Sequence, residues 1–158
     1  MKKKIIYPTI EKIIEFNLMA LSLIKVKKAD KPEVLSRQKI KEVIEECQKS
    51  KGGTYDKAVI LLKGIVQKHS FASGNRRTAF IVTKDFVISN SERFKIKDDP
   101  KYARVMIGIR EGYYSDKEIN EWIKNGNILG IELLSVSKRI PSESLSEISV
   151  KNLVPLAA

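Results

Sequence analysis

The stretch of sequence that decides the fold is His69-Ser-Phe-Ala-Ser-Gly-Asn-Arg-Arg-Thr-Ala-Phe80. Apolar residues recur at helical spacing on both sides of it. They are Tyr55, Ala58, Val59, Leu62, Ile65 and Val66 before it, and Ala79, Ile81, Val82, Phe86 and Val87 after it. This spacing predicts a helix that ends at His69 and a second helix that opens near Asn75. The loop between them follows directly on the only histidine of the chain.

The loop between the two predicted helices has the chemistry of an anion site. Gly74 lets a ligand approach the backbone closely. The N–H groups and the positive dipole end of a helix start favour negative charge, so phosphate is the expected ligand. Arg76 and Arg77 are unfavourable near this end unless an anion offsets them. A simple capped turn is the alternative interpretation of Ser73-Gly74-Asn75.

Read in order, the stretch closely resembles the motif of the Fic/Doc proteins, His-x-Phe-x-(Asp/Glu)-Gly-Asn-(Gly/Lys)-Arg. The coinciding positions are His69, Phe71, Gly74, Asn75, Arg77, Thr78 and Ala79. The similarity extends loosely from about Ile5 to Gly126. It implies a mainly α-helical, Fic-type bundle with a helix–loop–helix active-site motif and at most a short β-hairpin. We therefore expect a Fic/Doc-like domain over residues 1–126 and a C-terminal extension over residues 127–158, whose structure the sequence does not decide.

The resemblance also implies a role for each residue of the motif. The activity would be that of an ATP-dependent transferase acting on a protein hydroxyl, with His69 as the base, and imidazole suits a base near neutral pH. The residues expected to bind the nucleotide phosphates are Gly74, Asn75, Arg76 and Arg77. Arg77 would make forked contacts to terminal phosphate oxygens. Phe71 would anchor the loop in the core.

Three positions depart from the motif of the AMP-transferring Fic enzymes. Arg76 stands where they carry Gly and Phe80 where they carry a second Arg, and both changes resemble the Doc (death-on-curing) branch, in which the terminal phosphoryl group is moved. Ser73 stands where the family carries the Asp or Glu that holds Mg²⁺. Mg²⁺ usually takes one or two carboxylates, although P-loop proteins also hold it through a hydroxyl. We therefore expect ATP as the cofactor and a weakened Mg²⁺ site at Ser73.

These features predict a Doc-like transferase that moves a phosphoryl group from ATP to a hydroxyl of a target protein, as the toxin component of a toxin–antitoxin pair. The resemblance points to a translation factor as the target. It also points to a separate acidic antitoxin, because the family's inhibitory signature, (Ser/Thr)-x-x-x-Glu-(Gly/Asn), does not appear: Ile107 stands four residues before Glu111. Two alternatives stay open. One is AMP transfer, and the other is a degenerate module that binds nucleotide or nucleic acid without turnover, which Ser73 favours.

Composition limits the remaining possibilities. A chain of 158 residues with 42% hydrophobic content can bury one core. The net charge of +11 suits an acidic protein partner and leaves nucleic acid open as a less favoured one. The longest charge-free run, Phe16–Ile24, is far too short for a membrane helix, so no membrane partner is expected. Cys47 is the only cysteine, which excludes an internal disulfide and is typical of a core residue in a cytoplasmic protein.

Two more helices are predicted before the motif. The first begins near Pro8-Thr9, and its apolar face consists of Ile10, Ile13, Ile14, Leu18, Leu21 and Ile24. The second spans about Pro32–Lys49. Its apolar residues are Val34, Leu35, Ile40, Val43, Ile44 and Cys47.

The pattern after the motif is also mainly helical. Phe94–Lys97 alternates like a short strand. Pro100 introduces a helix that runs through Arg110. Ser115 and Glu118 form a capping box for a last helix, and the cluster Asn125-Gly126-Asn127 ends it.

Overall fold

The computed structural model of the chain describes residues 3–23, 30–97 and 99–126. Within these ranges it contains six α-helices and no strand. The helices are α1 (Ile10–Leu23), α2 (Arg37–Lys49), α3 (Thr54–Lys68), α4 (Asn75–Ser89), α5 (Tyr102–Arg110) and α6 (Asp116–Asn125). The prediction of a mainly α-helical fold is confirmed. The predicted extension, residues 127–158, lies outside the described residues.

The chain divides into two compact units, and the boundary lies between Phe94 and Lys95. In the first unit, α3 packs against α2 and α4, while α1 packs against α4 and α2. The fully buried side chains at these contacts include Ile13, Ile40, Leu61, Leu62, Ile65 and Phe86. None of the helices in the described ranges has the length and apolar character needed to cross a membrane.

The buried face of α1 differs in part from the predicted one. Ile13 and Leu21 are buried as predicted, but Leu18 is 49% exposed. The polar Asn17 is buried instead, with 2% of its surface exposed. Asn17 lies four residues from both Ile13 and Leu21, so all three share one face of the helix. A buried amide in such a place needs hydrogen-bond partners, and they come from the motif loop and the first turn of α4.

The prediction that α2 begins at Pro32 is wrong, because α2 begins at Arg37. Residues 33–36 are drawn away from the helix by backbone hydrogen bonds to the motif loop, and Leu35 is exposed rather than buried. Ser36 then caps the helix by accepting the backbone N–H of Lys39 at 3.2 Å. Further along, Cys47 is fully buried as predicted, and burial raises the pKa of its thiol to about 11.

The pre-motif helix α3 has well-defined ends. The carboxylate of Asp56 accepts the backbone N–H of Gly53 at 3.0 Å, which satisfies one donor at the helix start. Gly53 is the N-cap, and Thr54 is the first helical residue. The helix ends at His69, as predicted.

The second unit contains α5 and α6. The rings of Tyr102 and Trp122 meet edge to face with their centroids 5.5 Å apart. The capping box is confirmed, because Ser115 Oγ accepts the N–H of Glu118 at 3.2 Å while the Glu118 carboxylate accepts the N–H of Ser115 at 2.8 Å. Gly126 ends α6 in the left-handed conformation, with φ of 82°.

The predicted strand at Phe94–Lys97 is wrong. The segment makes no strand pairing. The ring of Phe94 packs on the ring of Phe80, with 5.4 Å between the ring centroids. The N–H of Lys95 donates to the carbonyl of Ile123 at 3.0 Å, next to the end of a helix rather than to a strand. Alternation over four residues is too short a pattern to distinguish a strand from an extended connection.

Candidate functional site

His69 stands at the end of α3, where the chain leaves the helix. It adopts the left-handed conformation, with φ of 55° and ψ of 55°, and its side chain is exposed. This conformation costs a residue with a Cβ about 1–2 kcal/mol relative to the ordinary helical one, and such strain is concentrated at functional sites. The turn brings α3 to an abrupt end and presents the imidazole to solvent immediately before the loop.

Phe71 fixes the middle of the loop. Its ring is fully buried, and its backbone pairs with Val34 in an isolated antiparallel bridge. Two hydrogen bonds border this bridge: the N–H of Leu35 donates to the carbonyl of Ser70 at 2.8 Å, and the N–H of Ala72 donates to that of Glu33 at 3.0 Å. The loop is therefore held both by an apolar side chain in the core and by a neighbouring extended segment, residues 33–36.

Asn75 closes the loop on itself. Its side-chain oxygen accepts the N–H of Phe71 at 3.1 Å, and its amide nitrogen donates to the carbonyl of Phe71 at 2.7 Å. The residue is buried. The amide thus shapes the loop from within, and a direct contact between Asn75 and phosphate stays a prediction.

Gly74 is the last residue before α4. It is the N-cap of the helix in the left-handed conformation, with φ of 78°, and as a glycine it supplies no side-chain cap. A Cβ at this position would lie 3.0 Å from Leu21 Cδ2 and 3.3 Å from Asn17 Nδ2. Both the backbone conformation and the space therefore require glycine here. This helix start is where an anion is expected to bind.

Asn17 on α1 positions this helix start, and sequence reasoning missed it. Its amide nitrogen donates to the carbonyl of Ser73 at 2.9 Å and to the hydroxyl of Thr78 at 3.0 Å. One side chain thus ties the residue before Gly74 to the first turn of α4. The signal that could have revealed it is a polar residue in the middle of an otherwise apolar helix face.

Arg77 projects from the first turn of α4 towards α1. Its Nη2 lies 3.1 Å from the Asp30 carboxylate, and its Nη1 donates to the carbonyl of Ala20 at 3.4 Å. Arg76, the other predicted phosphate-binding cation, is half-buried. Asp30 was not identified from the sequence, since it lies in a connection with no helical or strand pattern.

Ser73 occupies the position where the motif would place a metal ligand. Its hydroxyl accepts the backbone N–H of Lys31 at 3.3 Å. In the described ranges no group of three or more His, Cys, Asp or Glu side chains could hold a metal ion. Ser73 offers a hydroxyl in place of the one or two carboxylates that Mg²⁺ usually takes together with phosphate oxygens, and a weakened Mg²⁺ site here stays a prediction.

The comparison with known families bears on the same loop. The model of the Fic/DOC family matches residues 26–87. The Fic/DOC match covers α2, α3, the loop from His69 to Gly74 and most of α4. It supports a transferase of the general kind found in that family, one that modifies proteins or nucleotides. No curated protein matches the chain.

Proposed function

We propose that the chain is an ATP-dependent transferase that moves a phosphoryl group to a hydroxyl of a target protein. One observation carries the proposal: the exposed His69 ends α3 immediately before a loop that opens α4 at the glycine N-cap Gly74. A base and an anion-binding helix start are thereby placed a few residues apart. The Fic/DOC match over this loop supports the same assignment.

The phosphates of ATP would bind at the start of α4. Gly74 exposes the backbone there, and the helix dipole favours the negative charge. Arg77 adds a guanidinium whose fork matches phosphate oxygens. Asn75 would hold the loop in shape, because its side-chain amide is bonded to both the N–H and the carbonyl of Phe71. Asn17 would do the same at Ser73.

In the proposed reaction the target hydroxyl loses its proton to His69. The hydroxyl oxygen forms a bond to the terminal phosphorus of ATP, the bond from that phosphorus to the bridging oxygen breaks, and ADP leaves. Base assistance of this kind is typically worth about 10²–10⁴ in rate. Ser73 supplies a hydroxyl and no carboxylate, so none of these steps is assigned to a metal ion.

Phosphoryl transfer is favoured over AMP transfer by residues at α4. The position of the second motif Arg is Phe80, whose ring packs edge to face on Phe94 rather than offering a charge. Arg76 adds a positive charge where the AMP-transferring motif has glycine. A nucleotide bound with its terminal phosphate at the helix start would suit this distribution of charge.

The partners follow from the same proposal. The target would be a protein such as a translation factor, and the net charge of +11 suits binding of a separate acidic antitoxin in the cytoplasm. Charge of this sign steers acidic proteins towards the chain, and it does so less strongly at high salt.

A degenerate binding module is the second candidate, and Ser73 favours it. The hydroxyl is already bonded to the backbone of Lys31, and no carboxylate cluster in the described ranges takes over the metal-binding role. Such a protein would bind nucleotide and transfer nothing. Nucleic acid would be the less favoured ligand.

The test is transfer of label from ATP in a cell lysate. The chain is incubated with either γ-labelled or α-labelled ATP, and His69→Ala serves as the control. Phosphoryl transfer predicts a protein band that carries the γ label only and disappears with His69→Ala. Transfer of the α label would show AMP transfer instead. Nucleotide binding without either label would favour the degenerate module.

A further inference from the structure

The ion pair between Arg77 and Asp30 is unlike a surface pair. The two side chains are only 12% and 16% exposed, with 3.1 Å between nitrogen and oxygen. The exposed pair of Lys12 and Glu15 on α1, by comparison, has 45% and 60% exposure. Charged hydrogen bonds that are shielded from water are stronger than those at the surface. The Arg77 guanidinium is therefore held firmly.

Asp30 also lies beside the loop that leads into α4. The next residue, Lys31, donates its backbone N–H to Ser73 Oγ at 3.3 Å. Arg77, on the other side of the pair, is two residues into α4 and also contacts the carbonyl of Ala20. The carboxylate of Asp30 is thus an internal anion next to the helix start where the phosphates are proposed to bind.

We infer that Asp30 holds Nη2 of Arg77 in the nucleotide-free chain and competes with the terminal phosphate for it. The inference rests on the proposed function, since it concerns regulation of the same site. A carboxylate and a phosphate use the same N–H donors of a guanidinium, so one anion must release Arg77 before the other can bind it in full. Nucleotide affinity is consequently lowered by a residue of the chain itself.

A positioning role for Asp30 makes the opposite prediction. If the carboxylate only orients Arg77 towards phosphate, its removal leaves the guanidinium less ordered and nucleotide binds more weakly. If the carboxylate competes, its removal frees the donors and nucleotide binds more tightly. The sign of the change in affinity therefore distinguishes the two roles.

The experiment is calorimetric titration of ATP into the full chain and into Asp30→Asn, at fixed ionic strength and without divalent cations. Asn has nearly the shape of Asp and lacks the charge. Competition predicts a dissociation constant about tenfold lower for Asp30→Asn, because a hydrogen bond to a charged group is worth about one factor of ten in an equilibrium constant. Asp30→Glu keeps the carboxylate and should stay within a few-fold of the unmodified chain.

Glu15→Gln is the matched control. Glu15 pairs with Lys12 at 3.4 Å, so the substitution also removes one negative charge and one ion pair, at exposed side chains that lie outside the motif loop. It should change ATP affinity by less than a factor of about two, as is usual for an exposed pair. If it tightens binding as much as Asp30→Asn, general charge is responsible and the inference is overturned. Circular dichroism checks that each variant is folded, and Asp30→Ala replaces Asp30→Asn if the latter is not.

The outcomes separate this inference from the proposed function. If the unmodified chain binds ATP and Asp30→Asn binds it equally or more weakly, competition by Asp30 is refuted while the nucleotide site stands. If neither protein binds ATP, the proposed function fails and the inference fails with it. If Asp30→Asn binds ATP more tightly than the unmodified chain and the control variant does not, the result supports both the inference and the proposed nucleotide site.

Discussion

Asn17→Ala should destabilise the chain and weaken the site at once. The substitution removes both hydrogen bonds of the amide, to the Ser73 carbonyl at 2.9 Å and to the Thr78 hydroxyl at 3.0 Å. Thr78 is fully buried, so its hydroxyl loses a partner that water cannot easily replace, whereas Ser73 is only half-buried. A buried group left unsatisfied costs about 1–3 kcal/mol. We expect a loss of about 2–4 kcal/mol in the free energy of unfolding.

Urea denaturation followed by circular dichroism measures this loss. Leu18→Ala is the control, because Leu18 is the next residue on the same helix and is half-exposed, so its substitution should change the free energy of unfolding by less than about 0.5 kcal/mol. The reasoning is refuted if Asn17→Ala costs less than about 1 kcal/mol, or no more than the control. The folded Asn17→Ala protein should also bind ATP more weakly, since the Ser73 carbonyl that precedes Gly74 is no longer held by a hydrogen bond.

Three further predictions concern residues of the motif. His69→Ala should leave folding and ATP binding near normal and abolish label transfer, because the imidazole acts on the hydroxyl; wild-type turnover would exclude His69 as the base. Ser73→Asp should tighten Mg²⁺ binding in a calorimetric titration and raise the transfer rate, and an unchanged or lower rate would mean that the site is not a weakened form of the family's metal site. Arg77→Ala should weaken ATP binding by about 1.5–3 kcal/mol, against a negligible change for the exposed Lys4→Ala, and equal losses would indicate diffuse charge attraction instead of a pocket.

Much of the fold follows from local pattern. The helix–loop–helix around the motif was predictable because apolar residues at helical spacing continue on both sides of a glycine-containing turn. The end of α3 at His69 and the start of α4 at Asn75 agree with that pattern. The capping box at Ser115 is equally local, since both of its hydrogen bonds lie within four residues.

The parts that could not be predicted depend on contacts distant in sequence. Pro32–Ser36 has an acceptable helical pattern, but its backbone bonds to Ser70 and Ala72 compete with the helix. Asn17 and Asp30 reach residues 56 and 47 positions away, respectively. No periodicity within one helix indicates which polar side chain meets which loop.

Mapping of ATP onto the backbone amides by NMR tests the phosphate site most directly. The isotope-labelled chain is titrated with ATP, and the change in chemical shift is measured for each amide. Binding at the start of α4 predicts that the largest changes in amide chemical shift occur at Ser73, Gly74 and Arg77, with the next largest at His69. Changes spread over the exposed lysines, with none concentrated in this loop, would contradict it.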